Sequence, residues 1–186
     1  MSRIIAGRFR GRRLNVPAGQ SVRPTTNRMR ERVFSILMHG EYPDMHGARV
    51  ADLFAGTGAL GLEALSRGAE HVTFVEKSAS SITCLKSNIA ALKATNETNV
   101  LQVTARSLPN VGTPYDYIFM DPPYQQGLVR PTLDRLLEAG WIAPDTAIIC
   151  ELSSGEEPDL PPSIKVVNER SQGAQRVLFL SLASSA

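Results

Sequence analysis

Residues 48–61 read Ala-Arg-Val-Ala-Asp52-Leu-Phe54-Ala55-Gly56-Thr57-Gly58-Ala-Leu-Gly61. The first seven, 48 to 54, are an apolar run of the length and composition of a strand buried on both faces. Gly56, Gly58 and Gly61 then fit G-x-G-x-x-G at a strand-to-helix turn. In that setting the pattern has a mechanism, because glycines permit a tight turn and a close approach of backbone to ligand, and the helix start presents free N–H groups. A helix is expected through about Arg67, ending at Gly68, followed by a second strand, HVTFVE (71–76). Glu76 closes that strand twenty residues after Gly56, where a carboxylate grips ribose hydroxyls. A nucleotide-type cofactor is the consequence.

Asp52 narrows the choice. A dinucleotide would lay its pyrophosphate on the loop amides, where a carboxylate at the preceding strand end repels it. S-adenosylmethionine has no phosphate and carries a sulfonium and an ammonium group, which an acid stabilises through charge-assisted contacts. Asp52 therefore favours S-adenosylmethionine over NAD. The other reading of Asp52 is an acid that caps the turn.

On either side of this unit the pattern alternates. Downstream, Ser78 caps a helix with Ile82, Leu85, Ile89 and Leu92 on one face. Strands follow near 99–103, 115–120, 147–152, 164–168 and 175–182, with a helix at about 129–139. The expectation is one α/β domain over residues 1–186, with a Rossmann-like core in 48–186, a mostly parallel sheet and a final antiparallel pair. The acidic, Pro-rich stretch 153–163 reads as a connection. Upstream lie a basic arm, 1–22, and a helix region, 23–47. There Pro24 to Asn27 announce a helix start and Met29, Val33, Ile36 and Leu37 recur at helical spacing.

The chain has 186 residues, 42% of them hydrophobic, a composition that excludes disorder and a stapled mini-protein. Its net charge of +2 conceals a division. Residues 1–32 hold nine arginines and one acid, a net of +8, and the remainder carries −6. Such a block is either a solvated face or a nucleic-acid surface. Arginine in every basic position, interleaved with Gly7, Phe9 and Gly11, favours the second. Arg28 and Arg30 also occupy the first turn of the N-terminal helix, where the macrodipole disfavours cations, so that end is expected to hold an anion. No apolar run approaches a membrane span and no apolar leader is visible, so a cytoplasmic protein is expected. Cys84 and Cys150 read as small buried hydrophobes, His39, His46 and His71 lack ligand spacing, and no metal is expected.

A second chemical motif, Asp121-Pro122-Pro123-Tyr124, follows the strand YDYIFM (115–120). Two prolines fix an extended bend and remove two N–H donors, leaving carbonyls at the carboxyl end of the strand. That suits an exocyclic amine. The Asp121 carboxylate and the Pro122 carbonyl can hold its two hydrogens and turn the nitrogen lone pair toward an electrophilic methyl group. Tyr124 offers a ring on which a base can stack, the ring rather than the hydroxyl being what stacking needs.

The segments RIIAGRFRGRRL (3–14), RPTTNRMRERVFSIL (23–37), DLFAGTGALGLEALSRGA (52–69) and DPPY (121–124) together resemble the RsmD family of bacterial 16S rRNA guanine-N2 methyltransferases. The resemblance spans nearly the whole chain. It implies the class I methyltransferase fold, a seven-stranded mostly parallel sheet with the last strand antiparallel, plus the basic arm and helix. It implies S-adenosylmethionine as cofactor and a guanine of 16S rRNA, within the assembled small subunit, as substrate. Cofactor positions then fall on Asp52, Phe54, Ala55, Gly56, Thr57, Gly58, Glu76 and Asp121. The catalytic positions are Asp121, Pro122 and Tyr124, and the substrate positions are Arg10, Arg12, Arg23, Thr25, Arg28, Arg30, Pro123 and Tyr124. After the third core strand such enzymes often place Asp or Asn near the adenine. This chain has Val103-Thr104-Ala105-Arg106, and Thr104 and Ala105 are expected to substitute. An amino-methyltransferase of another RNA, of DNA adenine N6 or of a protein amide would use the same tetrapeptide. An NAD-dependent oxidoreductase has no use for an amine clamp, and a non-catalytic RNA-binding module has no need of either motif.

Overall fold

The computed structural model describes residues 2–17 and 27–183. Strands β1 (Ser2–Arg3) and β2 (Arg13–Leu14) pair antiparallel as a short hairpin. Helix α1 (Asn27–His39) leads to β3 (Arg49–Leu53), α2 (Ala59–Ser66), β4 (His71–Val75) and α3 (Ala79–Ala91). Then come β5 (Thr98–Leu101), β6 (Tyr117–Met120), α4 (Val129–Glu138), β7 (Ala147–Ser153), β8 (Ile164–Gln172) and β9 (Gln175–Leu182). Seven strands form one sheet in the order β5-β4-β3-β6-β7-β9-β8. From β5 to β7 every pairing is parallel, and β9 runs antiparallel between β7 and β8.

The reason lies in the alternation of side chains along strands whose two faces are both covered. Val50, Phe74, Tyr117, Phe119, Ile149 and Phe179 point to the face packed by α1, α2 and α3. Ala51, Leu53, Ile118, Met120, Ile148 and Cys150 point to the opposite face, packed by α4 and Trp141. Every second residue thus serves one of two cores, and the strands read as continuous apolar runs. Trp141 is fully buried and its indole N–H donates to the Pro109 carbonyl at 2.8 Å, a packing role. Ser78 caps α3 as its sequence suggests, its hydroxyl accepting from the Ser81 N–H.

The hairpin is docked. Ile4 and Leu14 are buried in the α1–α2–α3 core, and the Ile5 and Ala6 N–H groups donate to the Glu63 carboxylate at 2.7 and 3.1 Å. Glu63, on α2, is fully buried. Farther along, the Ser66 hydroxyl accepts from the Phe9 N–H at 2.9 Å, and the Asn88 side chain pairs with both backbone groups of Asn15. Asn88 also donates to the Thr57 carbonyl at 3.0 Å.

Two expectations change here. Arg30 is not a phosphate contact: it is 1% exposed, 3.7 Å from Glu63, and donates to the Arg3 carbonyl and Asn27. Its charge at the helix start is compensated by the buried carboxylate, so the broken local rule marks a structural lock. Cys84 is only half-buried and its thiol lies 3.0 Å from the Asn15 carbonyl. Among the described residues, no helix is long and apolar enough to cross a membrane, and no cluster of His, Cys, Asp and Glu could hold a metal ion.

Candidate active site

The chain runs outward from β3 to β4 and β5, then crosses back to place β6 on the other side of β3. The carboxyl ends of β3, β4 and β6 therefore border a crevice at the point where the strand order reverses, the place where open α/β sheets bind ligands. Loop 54–58 forms one wall. Phe54, Gly56 and Gly58 all have positive φ, of 60°, 55° and 80°. At Gly58 a side chain is strained by conformation, and a Cβ would stand 2.4 Å from a terminal methyl of Leu85, which would have to shift. Gly61 has an ordinary helical backbone, yet a Cβ there would lie 2.4 Å from the Phe74 ring, so its bareness lets α2 sit against β4.

Both carboxylates singled out by the sequence hold this loop. Asp52 Oδ2 accepts from the Gly61 N–H at 2.8 Å, tying the strand end to the helix start. Glu76 Oε2 accepts from the Gly56 N–H at 2.9 Å, and its Oε1 from the Ser78 N–H at 2.8 Å. Asp52 is 2% exposed, and burial pushes its carboxyl up to about 8; the nearby Asp121 and Glu76 charges add to this, and the Gly61 hydrogen bond opposes it. The capping role of Asp52 is thus realised, alongside its place in a group of three acids.

A cavity of about 540 Å³ opens here, lined by Phe54, Glu76, Thr104, Ala105, Asp121 and Pro123, with Lys77 and Arg106 also on its wall. Six positions drawn from three separate sequence signals meet in one space. Asp52 in β3, Ala55, Gly56, Thr57 and Gly58 in the loop after it, and the buried Pro122 are not among the residues that line the cavity. The Thr104 hydroxyl lies 3.1 Å from that of Ser107. Tyr124 is half-buried, its hydroxyl donating to Glu151 at 3.1 Å. Of the predicted substrate contacts, Arg10, Arg12 and Arg28 are exposed, Arg30 is buried, and Arg23 and Thr25 lie outside the described residues.

Sequence reasoning missed the residues that hold these parts together. Glu63 had a signal: one acid inside the otherwise apolar helix ALGLEALS requires a buried cationic or N–H partner. The acidic stretch after β7 is more than a connection, since Glu156 accepts from the Gln125 N–H at 3.2 Å.

A seven-stranded sheet with β9 reversed, a glycine loop closed by Glu76 and an Asp-Pro-Pro-Tyr turn whose Asp121 and Pro123 line the same cavity define a class I methyltransferase. The solved structure of yhhF of Escherichia coli, a proposed methyltransferase, superposes with a TM-score of 0.85 at 37% identity, covering 98% of each chain. The family model described as Conserved hypothetical protein 95 matches residues 2–181, and the chain belongs to this family, the RsmD family of methyltransferases. Ribosomal RNA small subunit methyltransferase D of Escherichia coli strain K12 is 42% identical over 149 residues, 80% of this chain and 73% of the relative. The protein of the same name from Haemophilus influenzae is 34% identical over 175 residues, 92% of this chain and 89% of the relative. The chain is accordingly a methyltransferase, and the oxidoreductase and the non-catalytic module are set aside.

Proposed function

We propose that the protein transfers a methyl group from S-adenosylmethionine to the exocyclic N2 amine of a guanine in 16S rRNA, presented by the assembled small subunit. The observation that carries the reading is the sharing of one cavity by Glu76, Thr104 and Ala105 on one side and Asp121 and Pro123 on the other. Its volume suits a small-molecule site. The residues fit the cofactor, because the charges of Asp121 and Glu76 act on Asp52 and help to raise its carboxyl, a crowding of acids that a cationic ligand relieves. When bound, the cofactor supplies an electrophilic methyl group on a sulfonium.

Glu76 accepts from the ribose hydroxyls with lone pairs that remain beyond its two backbone bonds. The amides of 55–58 and Phe54 line the cofactor, and Thr104 and Ala105 border the adenine. Asp121 and the Pro122 carbonyl accept the two amine hydrogens, which turns the nitrogen lone pair toward the methyl group. As the N–C bond forms the S–C bond breaks, its electron pair staying on sulfur as a neutral thioether; the nitrogen is then cationic and Asp121 accepts its surplus proton. Tyr124 stacks on the extruded base and Pro123 borders it. Residues 1–22 and 23–47 serve the RNA, with Arg10, Arg12, Arg23, Thr25 and Arg28 along its phosphates, and residues 48–186 serve the cofactor and the chemistry. Such a substrate places the enzyme in the cytoplasm.

The names of the relatives favour ribosomal RNA over DNA or a protein amide. Mapping N2-methylguanine in 16S rRNA from a strain lacking the protein, then restoring it in vitro with purified enzyme and small subunits, tests the proposal. One missing mark, restored on subunits, is the expected result. An unchanged methylation map would overturn it.

A further inference from the structure

We propose that Glu151 and Glu156 brace the Asp121–Tyr124 turn from behind, and that Glu151 is a positioning residue which sets the tilt of the Tyr124 ring. The inference rests on the reading of Tyr124 as the platform for the target base. Strand β7 lies beside β6, with Cys150 opposite Met120, so Glu151 and the acidic residues after it run alongside the turn. The Tyr124 hydroxyl donates to Glu151 Oε1 at 3.1 Å, and the Gln175 side-chain amide, at the start of β9, donates to the same oxygen at 3.0 Å. Glu151 is 4% exposed, and the chemistry of methyl transfer does not call on it.

A second strut stands one residue on. Gln125 has φ of 56°, a left-handed conformation that a side-chain-bearing residue adopts only when its surroundings hold it. What holds it is Glu156, whose Oε1 accepts from the Gln125 N–H at 3.2 Å. Glu156 is itself fixed: its Oε2 accepts from the Ser153 hydroxyl at 3.2 Å, and its carbonyl from Arg176 at 3.0 Å. Arg176 also pairs with Glu157 and Glu169, which fastens the acidic segment to the β8–β9 ribbon.

A tyrosine ring anchored only at Cα can swing about two soft dihedrals. Anchored at its hydroxyl as well, it presents one face in one direction, which is the preorganisation a stacking platform needs. The hydroxyl therefore contributes to turnover, although stacking itself uses the ring.

Steady-state methyl transfer to small subunits tests this, with cofactor KM measured alongside. Glu151→Ala and Tyr124→Phe should each lower kcat by between about ten- and a hundredfold, the scale on which small misplacements are felt, at unchanged cofactor KM. Because both remove the Tyr124–Glu151 bond, and Glu151→Ala gives up the Gln175 bond as well, the double variant should be no slower than Glu151→Ala alone. Glu151→Gln, which keeps an acceptor oxygen, should recover most of the rate. Tyr124→Phe leaves the carboxylate in place and reads the same bond should Glu151→Ala not fold. A double variant slowed by the product of the two singles, or Tyr124→Phe at the wild-type rate with Tyr124→Ala inactive, overturns the brace alone. Tyr124→Ala at the wild-type rate overturns the platform reading on which it rests.

Discussion

Asp52 carries a proton that the unfolded chain gives up, since burial raises its carboxyl from 3.8 to about 8. The stability tied to that proton is complete below about pH 4 and is lost as pH rises through about 8. Wild type should therefore lose stability relative to Asp52→Asn between about pH 5 and 8, read by denaturant unfolding at both values; parallel curves would contradict the buried neutral acid. Glu76→Ala should weaken cofactor binding roughly ten- to a hundredfold, the loss of charged hydrogen bonds worth about 1.5–3 kcal/mol each, which calorimetry measures. Asp121→Ala should instead keep most cofactor affinity and slow methyl transfer by a factor on the order of hundreds. Asp52, Glu76 and Asp121 were legible because each stands within one residue of the end of a strand, where main-chain pattern fixes position. Arg30 was not, because the acid that neutralises it comes 33 residues later and on another element.

At the scale of elements, the hairpin and α2 form one unit through Glu63. Deleting residues 2–14 removes two N–H donors, Ile5 and Ala6, from a fully buried carboxylate, each charged bond worth about 1.5–3 kcal/mol. The truncated protein should melt at lower temperature, rather than retain an intact core as an arm reading would have it. The RNA role of the basic N-terminal residues is better tested at their exposed surface. Arg10→Ala with Arg28→Ala, both exposed, should leave melting unchanged and lower the slope of log K against log salt by about 1.4–1.8, at 0.7–0.9 per phosphate. An unchanged slope would leave these arginines as a solvated face. Charge told where the basic surface lies, but not that its backbone is folded into the core, because docking depends on polar groups far along the chain.

Across the whole molecule, β-α-β alternation and glycine punctuation made the parallel part of the sheet readable to within a few residues at each strand. The register of β9 between β7 and β8 follows from tertiary contact, which no local pattern states. The site was legible where it rests on strand ends and hidden where it rests on braces between distant segments. The anchoring of the hairpin has a consequence in time. Ile5 reaches Glu63 across 58 residues and Asn15 reaches Asn88 across 73, so the hairpin, synthesised before α2 and α3, has nowhere to dock until they exist. Contacts of such separation close late, and an exposed, arginine-rich stretch must stay unpaired on the nascent chain meanwhile. Refolding followed from both ends should show the sheet forming ahead of the N-terminus. A segment made before the elements it docks on is then among the last to settle.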